Sequence, residues 1–103
     1  MLRSFPVIEA SPGVTRQVLS EAPELMVVCF SFAEGSTAAR HSHSHVQSSY
    51  IRSGRFRFSI GEESFEVGPG NSFVIPSGAE HGCICLEAGQ VIDSFAPRRD
   101  DFL

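Results

Sequence analysis

Histidines are concentrated in one short segment of this 103-residue chain, which reads HSHSH from position 41 to position 45. The chain has four histidines in all, and the fourth, His81, lies well downstream. In a β-strand every second side chain points to the same face, so His41, His43 and His45 would share one face of a strand. Neutral imidazole is the commonest protein ligand for transition metals. The cluster therefore predicts a metal centre on a β scaffold.

The composition is that of an ordinary globular domain with room for one modest core. The formal net charge of −4 argues against a nucleic-acid partner, because phosphate binding requires a basic surface. No apolar run approaches the roughly 18 residues of a membrane span. The opening residues, MLRSFPVIEASPG, lack the apolar segment of a secretory signal. We therefore expect a cytoplasmic protein with no nucleic-acid or membrane partner.

Three cysteines are present, Cys29, Cys83 and Cys85. Cys83 and Cys85 would share one face of a strand with parallel side chains, which is a poor geometry for a disulfide. Cys29 lies in the apolar run LMVVCF. We expect three free, buried thiols rather than thiolate metal ligands, because the histidines already supply a set of donors.

Strand signals recur at short intervals with turn residues between them, which is typical of an all-β sandwich or barrel. The predicted strands are Glu24–Phe32, Ser48–Arg52, Arg55–Ile60, Ser64–Val67, Ser72–Ile75, Gly82–Leu86 and Gln90–Phe95. A turn is predicted at Ser53-Gly54, and the last two strands are expected to pair around Glu87-Ala88-Gly89. The first 20 residues are expected to add one or two edge strands.

The spacing of the histidines becomes specific when the glycines and a proline are included. The chain reads Gly35-x5-His41-x-His43-x3-Gln47-x6-Gly54, and then Gly70-x5-Pro76-x-Gly78-x2-His81. These two stretches resemble the two signature motifs of the cupin family, with only 15 residues between them. The resemblance implies one cupin domain over residues 1–103, with the first motif at 35–54 and the second at 70–85.

The resemblance to cupins also implies a fold and a cofactor. The implied fold is a small single-domain antiparallel β-barrel, also called a double-stranded β-helix or jelly roll. The barrel mouth would hold one divalent transition metal ion, with Zn, Ni, Fe, Mn, Cu and Co all compatible with the donors. The implied ligands are His41, His43, Gln47 and His81. Small cupins usually dimerise, so a homodimer is implied, with Phe5, Val7, Ile8 and the outer barrel strands as candidate contacts.

Two positions depart from the usual cupin pattern. Gln47 stands where most cupins have Glu, and Cys85 stands where the second motif usually ends in Asn. Three neutral imidazoles and one neutral amide would leave the 2+ charge of the ion uncompensated, which makes it a stronger Lewis acid. A catalytic base would then have to come from elsewhere. His45 is open to two interpretations, a contact with substrate or the ligands, and an ordinary polar or oligomer contact.

The C-terminal sequence VIDSFAPRRDDFL resembles the tail of the KdgF-type cupins of pectin and alginate breakdown, which follow the pattern D-x-F-x-P-x-R-x-D-F. The matching residues are Asp93, Phe95, Pro97, Arg99, Asp101 and Phe102. Those cupins also carry Gln at the fourth ligand position, and they convert ring-closed 4,5-unsaturated uronates into their linear keto form. The resemblance implies Asp93 and Arg99 as catalytic residues. It implies a sugar-acid substrate bound by Arg99, to which we add Phe95 and His45 as further expected contacts.

The chemistry of the tail fits this interpretation and leaves alternatives open. Arg99 can hold a carboxylate with two parallel hydrogen bonds. Asp93 lies in an apolar setting that would raise its pKa, which suits a proton-transfer group. Asp93 could instead be a turn carboxylate, and residues 98–101 a solvated charge run. A metal-dependent dioxygenase or isomerase and a non-catalytic ligand-binding barrel are therefore kept beside the sugar-acid enzyme.

Overall fold

The computed structural model describes residues 2–103, which form eight β-strands and one short 3-10 helix. The strands are β1 (Val7–Ser11), β2 (Val14–Ala22), β3 (Leu25–Phe32), β4 (Thr37–His41), β5 (Val46–Ile60), β6 (Glu63–Val67), β7 (Ser72–Ile75) and β8 (His81–Ala96), and the helix is Asp100–Phe102. Residues 2–103 contain no helix that is long and apolar enough to cross a membrane.

The two long strands, β5 and β8, pair with each other and contribute to both halves of the barrel. The C-terminal half of β8 continues through β3 and β2 to the edge strand β1, and the N-terminal half of β5 pairs with β7. The N-terminal half of β8 pairs with β4, and the C-terminal half of β5 pairs with β6. All of these pairings are antiparallel, which confirms the predicted all-β antiparallel barrel of the jelly-roll type.

Alternation along β5 and β8 decides which side chains face the interior. The apolar residues at inward positions are Ile51, Phe56 and Phe58 on β5, and Cys83, Cys85, Val91 and Phe95 on β8. The same two rows carry four buried polar side chains, Gln47, Ser49, His81 and Asp93. The polar side chains therefore project from the walls of the barrel into a mostly apolar interior.

Two predicted chain reversals are wrong, because β5 runs through Ser53-Gly54 and β8 runs through Glu87-Ala88-Gly89. Gly54 has φ +80°, and a Cβ atom there would lie 2.5 Å from the carbonyl oxygen of Glu87. A Cβ atom on Gly89 would lie 2.1 Å from the carbonyl oxygen of Ser53. The glycines allow two shifted strands to approach closely rather than a turn to form.

The remaining strand predictions agree with the structure within a residue or two, and the first 20 residues supply β1 and most of β2. The three cysteines are free and buried, as predicted. Burial raises the pKa of Cys83 to about 12, so its thiol stays protonated at neutral pH.

Glu21 on β2 ties both ends of the chain to the barrel. Its carboxylate accepts hydrogen bonds from Arg3 Nη1 at 2.6 Å and Arg98 Nη1 at 2.8 Å, and its side chain is only 9 % exposed. The bonds from Arg98 and Arg3 hold the pKa of Glu21 below its usual value of 4.5. A carboxyl whose pKa is lowered by folding stabilises the native state above the unfolded pKa, and this contribution disappears as pH falls through the folded pKa.

We therefore expect Glu21→Gln to lower the Tm by a few degrees at neutral pH. The difference from the wild-type Tm should shrink as pH falls from 4.5 through the lower pKa of the folded wild-type carboxyl, which is then neutralised as well. Thermal unfolding followed by circular dichroism at several pH values measures this. The exposed Glu62 in the β5–β6 turn provides the matched control, since Glu62→Gln should change the Tm little at any pH. If the Tm of Glu21→Gln lies below that of the wild type by the same amount at every pH, the prediction is contradicted.

Candidate metal centre

Three histidines converge where β4 ends and β8 begins. His41 is the last residue of β4 and pairs in register with His81, the first residue of β8. His43 follows in the loop between β4 and β5, so the prediction that HSHSH lies on one strand is wrong beyond His41. Strand β4 thus ends at the residue that pairs with the first residue of β8. One ligand atom of each of the three rings lies within 4.8 Å of those of the other two.

Each of these three rings is oriented by a backbone carbonyl two residues away in the chain. The Nδ1 atoms lie 2.8 Å from Ala39 O for His41, 3.0 Å from His45 O for His43, and 2.9 Å from Ala79 O for His81. A carbonyl can only accept a hydrogen bond, so the proton of each neutral ring is on Nδ1 and the lone pair is on Nε2. This is the tautomer of a histidine that coordinates a metal through Nε2.

The Nε2 atoms are placed as donors to a cation. His81 Nε2 is buried and has no hydrogen-bond partner among residues 2–103. His43 Nε2 lies 3.0 Å from Oε1 of Gln47, so two lone-pair atoms face each other there. A metal ion held by both atoms would accept a lone pair from each of them. Because a cation would relieve both features, the residues present fit a divalent transition metal.

Burial keeps the two less exposed rings in the form that binds metals. Desolvation lowers the pKa of His43 and of His81 below the usual value of 6.5, and the positive charge of Arg99 acts in the same direction. Both rings are therefore neutral at physiological pH, and their lone pairs are available. Together with Gln47, the three histidines are called the four candidate donors below.

A chain of hydrogen bonds connects Gln47 to the buried carboxyl group of Asp93. Gln47 Nε2 donates to Ser49 Oγ at 3.2 Å, and Ser49 Oγ donates to Asp93 Oδ1 at 2.5 Å. Desolvation raises the pKa of Asp93 to about 6, against the hydrogen bonds from Ser49 and Gln47 and the charge of Arg99. Asp93 lies within β8 and is 6 % exposed, so the alternative of a surface turn carboxylate is wrong.

A cavity of about 240 Å³ adjoins the candidate donors and Asp93. Its polar lining consists of His41, Gln47, His81, Asp93 and Arg99, and the aromatic part of its lining is Phe30, Phe32, Phe58, Phe95 and Phe102. The structure therefore brings Asp93, Phe95 and Arg99 to the same cavity as three of the four candidate donors. The ring of His45 does not line this cavity. It lies against His43, with 5.5 Å between the ring centroids, and its Nδ1 is buried without a partner in the described residues.

Arg99 reaches the cavity from the C-terminal tail. Its guanidinium carbon lies 5.0 Å from the ring centroid of Phe95 and 4.3 Å from that of Phe102. Its Nε and Nη2 atoms donate to the Asp101 carboxylate at 3.0 Å and 2.9 Å, which fixes one edge of the guanidinium. The side chain is only 13 % exposed. Residues 98–101 are thus not a uniformly solvated charge run, because Arg99 faces inward.

Ser49 is a site residue that was not predicted from the sequence. The one feature that could have indicated it is its position, because it is the next inward residue of β5 after Gln47. The partner that makes it part of the site, Asp93, is 44 positions away and is brought opposite by the register of β5 and β8.

Comparisons with known proteins agree with this geometry. The Cupin_2 family model, described as a cupin domain, matches residues 28–93. The pectin degradation protein KdgF of Dickeya dadantii (strain 3937) is 35 % identical over 100 residues, which cover 95 % of this chain and 91 % of that protein. The solved structure of KdgF from Halomonas sp. is 34 % identical, with a TM-score of 0.93 and full coverage of both chains. An RmlC-like cupin from Shewanella frigidimarina NCIMB 400 is 33 % identical, with a TM-score of 0.92 and coverage of 96 % of this chain and 89 % of that one.

The family model covers more than half of the chain, and the KdgF relatives match nearly all of it. The two motifs and the tail from which the resemblance was inferred lie within these matches. This chain belongs to the cupin family and, within it, to the KdgF-type cupins.

Proposed function

We propose that this protein binds one divalent transition metal ion and converts 4,5-unsaturated uronates into their linear keto form. The observation that carries the proposal is the shared cavity, in which candidate donors, a buried carboxyl group and an inward arginine meet. The proposed metal ligands are His41, His43, Gln47 and His81. The name of the Dickeya dadantii relative, a pectin degradation protein, supports a sugar acid as the substrate class.

As metal ligands, three imidazoles and one amide would contribute no charge, so the roles of the other residues in the cavity follow from that. A bound divalent ion would keep its full charge and would stabilise negative charge on a substrate oxygen. None of the four donors can serve as a carboxylate base. Asp93 is the one carboxyl group that lines the cavity in the described part of the chain, so we assign proton transfer to it.

Arg99 is assigned to the substrate carboxylate. Asp101 holds the Nε–Nη2 edge of the guanidinium, which leaves the hydrogens of Nη1 and the remaining hydrogen of Nη2 for a second carboxylate. Phe95 and Phe102 hold the guanidinium plane by stacking against it. The substrate would thus be bound by its acid group on one side, with its ring oxygens toward the candidate donors.

The reaction requires water to add across the C4=C5 bond of the substrate. One proton goes to C4 and the hydroxyl group goes to C5, and the hemiketal that results opens to a ketone at C5 and a hydrated aldehyde at C1. Loss of one water from C1 gives the free aldehyde, so water is consumed and released once and the linear product is an isomer of the substrate. Asp93, at the cavity wall, is placed to carry a proton between these positions.

The predicted homodimer also stays a proposal. Val7 and Ile8 on the edge strand β1 are 60 % and 40 % exposed and are available to a second copy. Phe5 instead packs against the core cluster of Val18, Met26, Val28 and Phe95 within the same chain. We therefore expect the contacts of a dimer to come from β1 and the outer strands rather than from Phe5.

The substrate assignment is tested by mixing metal-loaded protein with a 4,5-unsaturated uronate and following the ultraviolet absorbance of its conjugated double bond. We expect the absorbance to fall faster than in the protein-free reaction. An oxygen electrode run on an iron-loaded sample with aromatic and diketone substrates should show no uptake. Unchanged absorbance would contradict the proposal, and oxygen uptake would favour a dioxygenase instead.

A further inference from the structure

Ser49 connects a candidate metal donor to the carboxyl group of the cavity. It is fully buried at an inward position of β5 and pairs in register with Asp93 of β8. Its Oγ atom lies 3.2 Å from Gln47 Nε2 and 2.5 Å from Asp93 Oδ1. The Ser49 hydroxyl group thus bridges Gln47 and Asp93.

The direction of these two bonds follows from the protons available. The Ser49 hydroxyl has one proton, and an ionised carboxylate can only accept, so this proton is donated to Asp93. The lone pairs of Oγ are then left for Gln47, which has to present its amide nitrogen. Oε1 of Gln47 is thereby turned to the opposite side, where it lies 3.0 Å from His43 Nε2.

We propose that Ser49 is a positioning residue for both Gln47 and Asp93. It orients the amide oxygen of Gln47 toward the metal. It also holds the Asp93 carboxyl group through Oδ1, so that Oδ2 is left for the substrate. The inference rests on the metal centre of the proposed function and deepens it. Without the Ser49 hydroxyl, the amide can turn over and present its nitrogen, which has no lone pair to give to a metal. The carboxyl of Asp93 also loses the hydrogen bond that Ser49 donates to its Oδ1.

The first test is a double-mutant cycle on metal affinity, measured by competition for Zn²⁺ with a chromogenic chelator. Ser49→Ala should weaken Zn²⁺ binding by about 10- to 100-fold, which is the usual cost of losing a partner that orients a ligand. In a Gln47→Ala background, Ser49→Ala should cause no further loss, because Ser49 acts through Gln47. Unchanged affinity in Ser49→Ala, or the same loss in both backgrounds, would overturn the proposal.

The chain offers a matched control in Ser31, a partly buried serine of β3 that accepts a bond from Gln90 Nε2 at 3.0 Å. Ser31→Ala removes the same kind of glutamine–serine hydrogen bond outside the candidate metal centre. It should leave the Zn²⁺ affinity unchanged.

A second pair of variants separates the hydroxyl from packing. Ser49→Thr and Ser49→Val add nearly the same volume to a fully buried position and differ in the hydroxyl group. Ser49→Thr should bind Zn²⁺ at least about tenfold more tightly than Ser49→Val. Equal affinities would overturn the proposal. Because none of these readouts uses a substrate, a wild type that binds Zn²⁺ and leaves uronates unchanged would refute the proposed reaction and not the role of Ser49.

Discussion

His81→Ala is expected to abolish tight metal binding, with a loss of Zn²⁺ affinity greater than the roughly 100-fold upper range for changes in outer-shell partners. His81 is 3 % exposed, its Nδ1 is fixed by Ala79 O, and its buried Nε2 has no partner in the described residues. The ring is therefore already in place before an ion arrives. Isothermal titration of the metal-free protein with Zn²⁺ measures the loss.

The unfolding behaviour of His81→Ala adds a second readout. A ligand that binds the native state alone raises the Tm, so Zn²⁺ should raise the Tm of the wild type and have little effect on that of His81→Ala. In the absence of metal, His81→Ala should lose stability, because removal of the ring leaves a cavity. Part of this loss should be offset, because the variant also removes a buried nitrogen that has no hydrogen-bond partner.

His45→Ala is the matched control for His81→Ala. The contribution of His45 to the centre is its backbone carbonyl, which accepts the bond from His43 Nδ1 and remains in the variant. Its Zn²⁺ affinity should stay within a few-fold of the wild type. A loss in His45→Ala as large as that in His81→Ala would show that His45 is a ligand, contrary to the assignment.

Asp93→Asn is expected to lower kcat for the uronate reaction by about 10²- to 10⁴-fold, the usual contribution of a proton-transfer group. The amide has the shape of the carboxyl group and its oxygen can still accept the bond from Ser49, but it cannot carry a proton at neutral pH. Zn²⁺ affinity should change little, since Asp93 is not among the four candidate donors.

Protein stability and a tail variant provide the controls for Asp93→Asn. Burial of an ionised carboxyl is unfavourable, so the variant should unfold at a temperature equal to or above that of the wild type at neutral pH. The exposed Asp100 lies in the same tail and pairs with Arg98, and Asp100→Asn should retain wild-type kcat. A kcat for Asp93→Asn within a few-fold of the wild type would remove Asp93 from the reaction.

Much of the candidate site was predicted from the spacing of the two motifs and from the resemblance of the tail to KdgF-type cupins. Strand alternation is a local property, and it explains why Gln47 and Asp93, once they are placed on strands, both face inward with their apolar neighbours. The role of Ser49 depends instead on the register of β5 against β8, and no local pattern specifies that register. The orientation of His45 depends on the bend between β4 and β5, which alternation does not describe.

The two incorrect turn predictions, at Ser53-Gly54 and at Glu87-Ala88-Gly89, have a related cause. Glycine is favoured both where a chain reverses and where two backbones approach closely, and the neighbouring residues do not distinguish these cases. At Gly61 the glycine marks the hairpin between β5 and β6. At Gly54 and Gly89 it marks the contact between two continuous strands. The difference is decided by which strands pair across the barrel, and that is a long-range property of the fold.

The central claim, that a metal ion held by the four candidate donors works together with Asp93 on a sugar acid, is tested most directly by titrating metal-free protein with a divalent metal while measuring uronate turnover. We predict that activity is absent without metal, rises linearly and stops rising at one equivalent per chain. Asp93→Asn should bind the same single equivalent without gaining activity. Full turnover in metal-free protein, or no turnover at any loading with Zn, Ni, Fe, Mn, Cu or Co, would contradict the account.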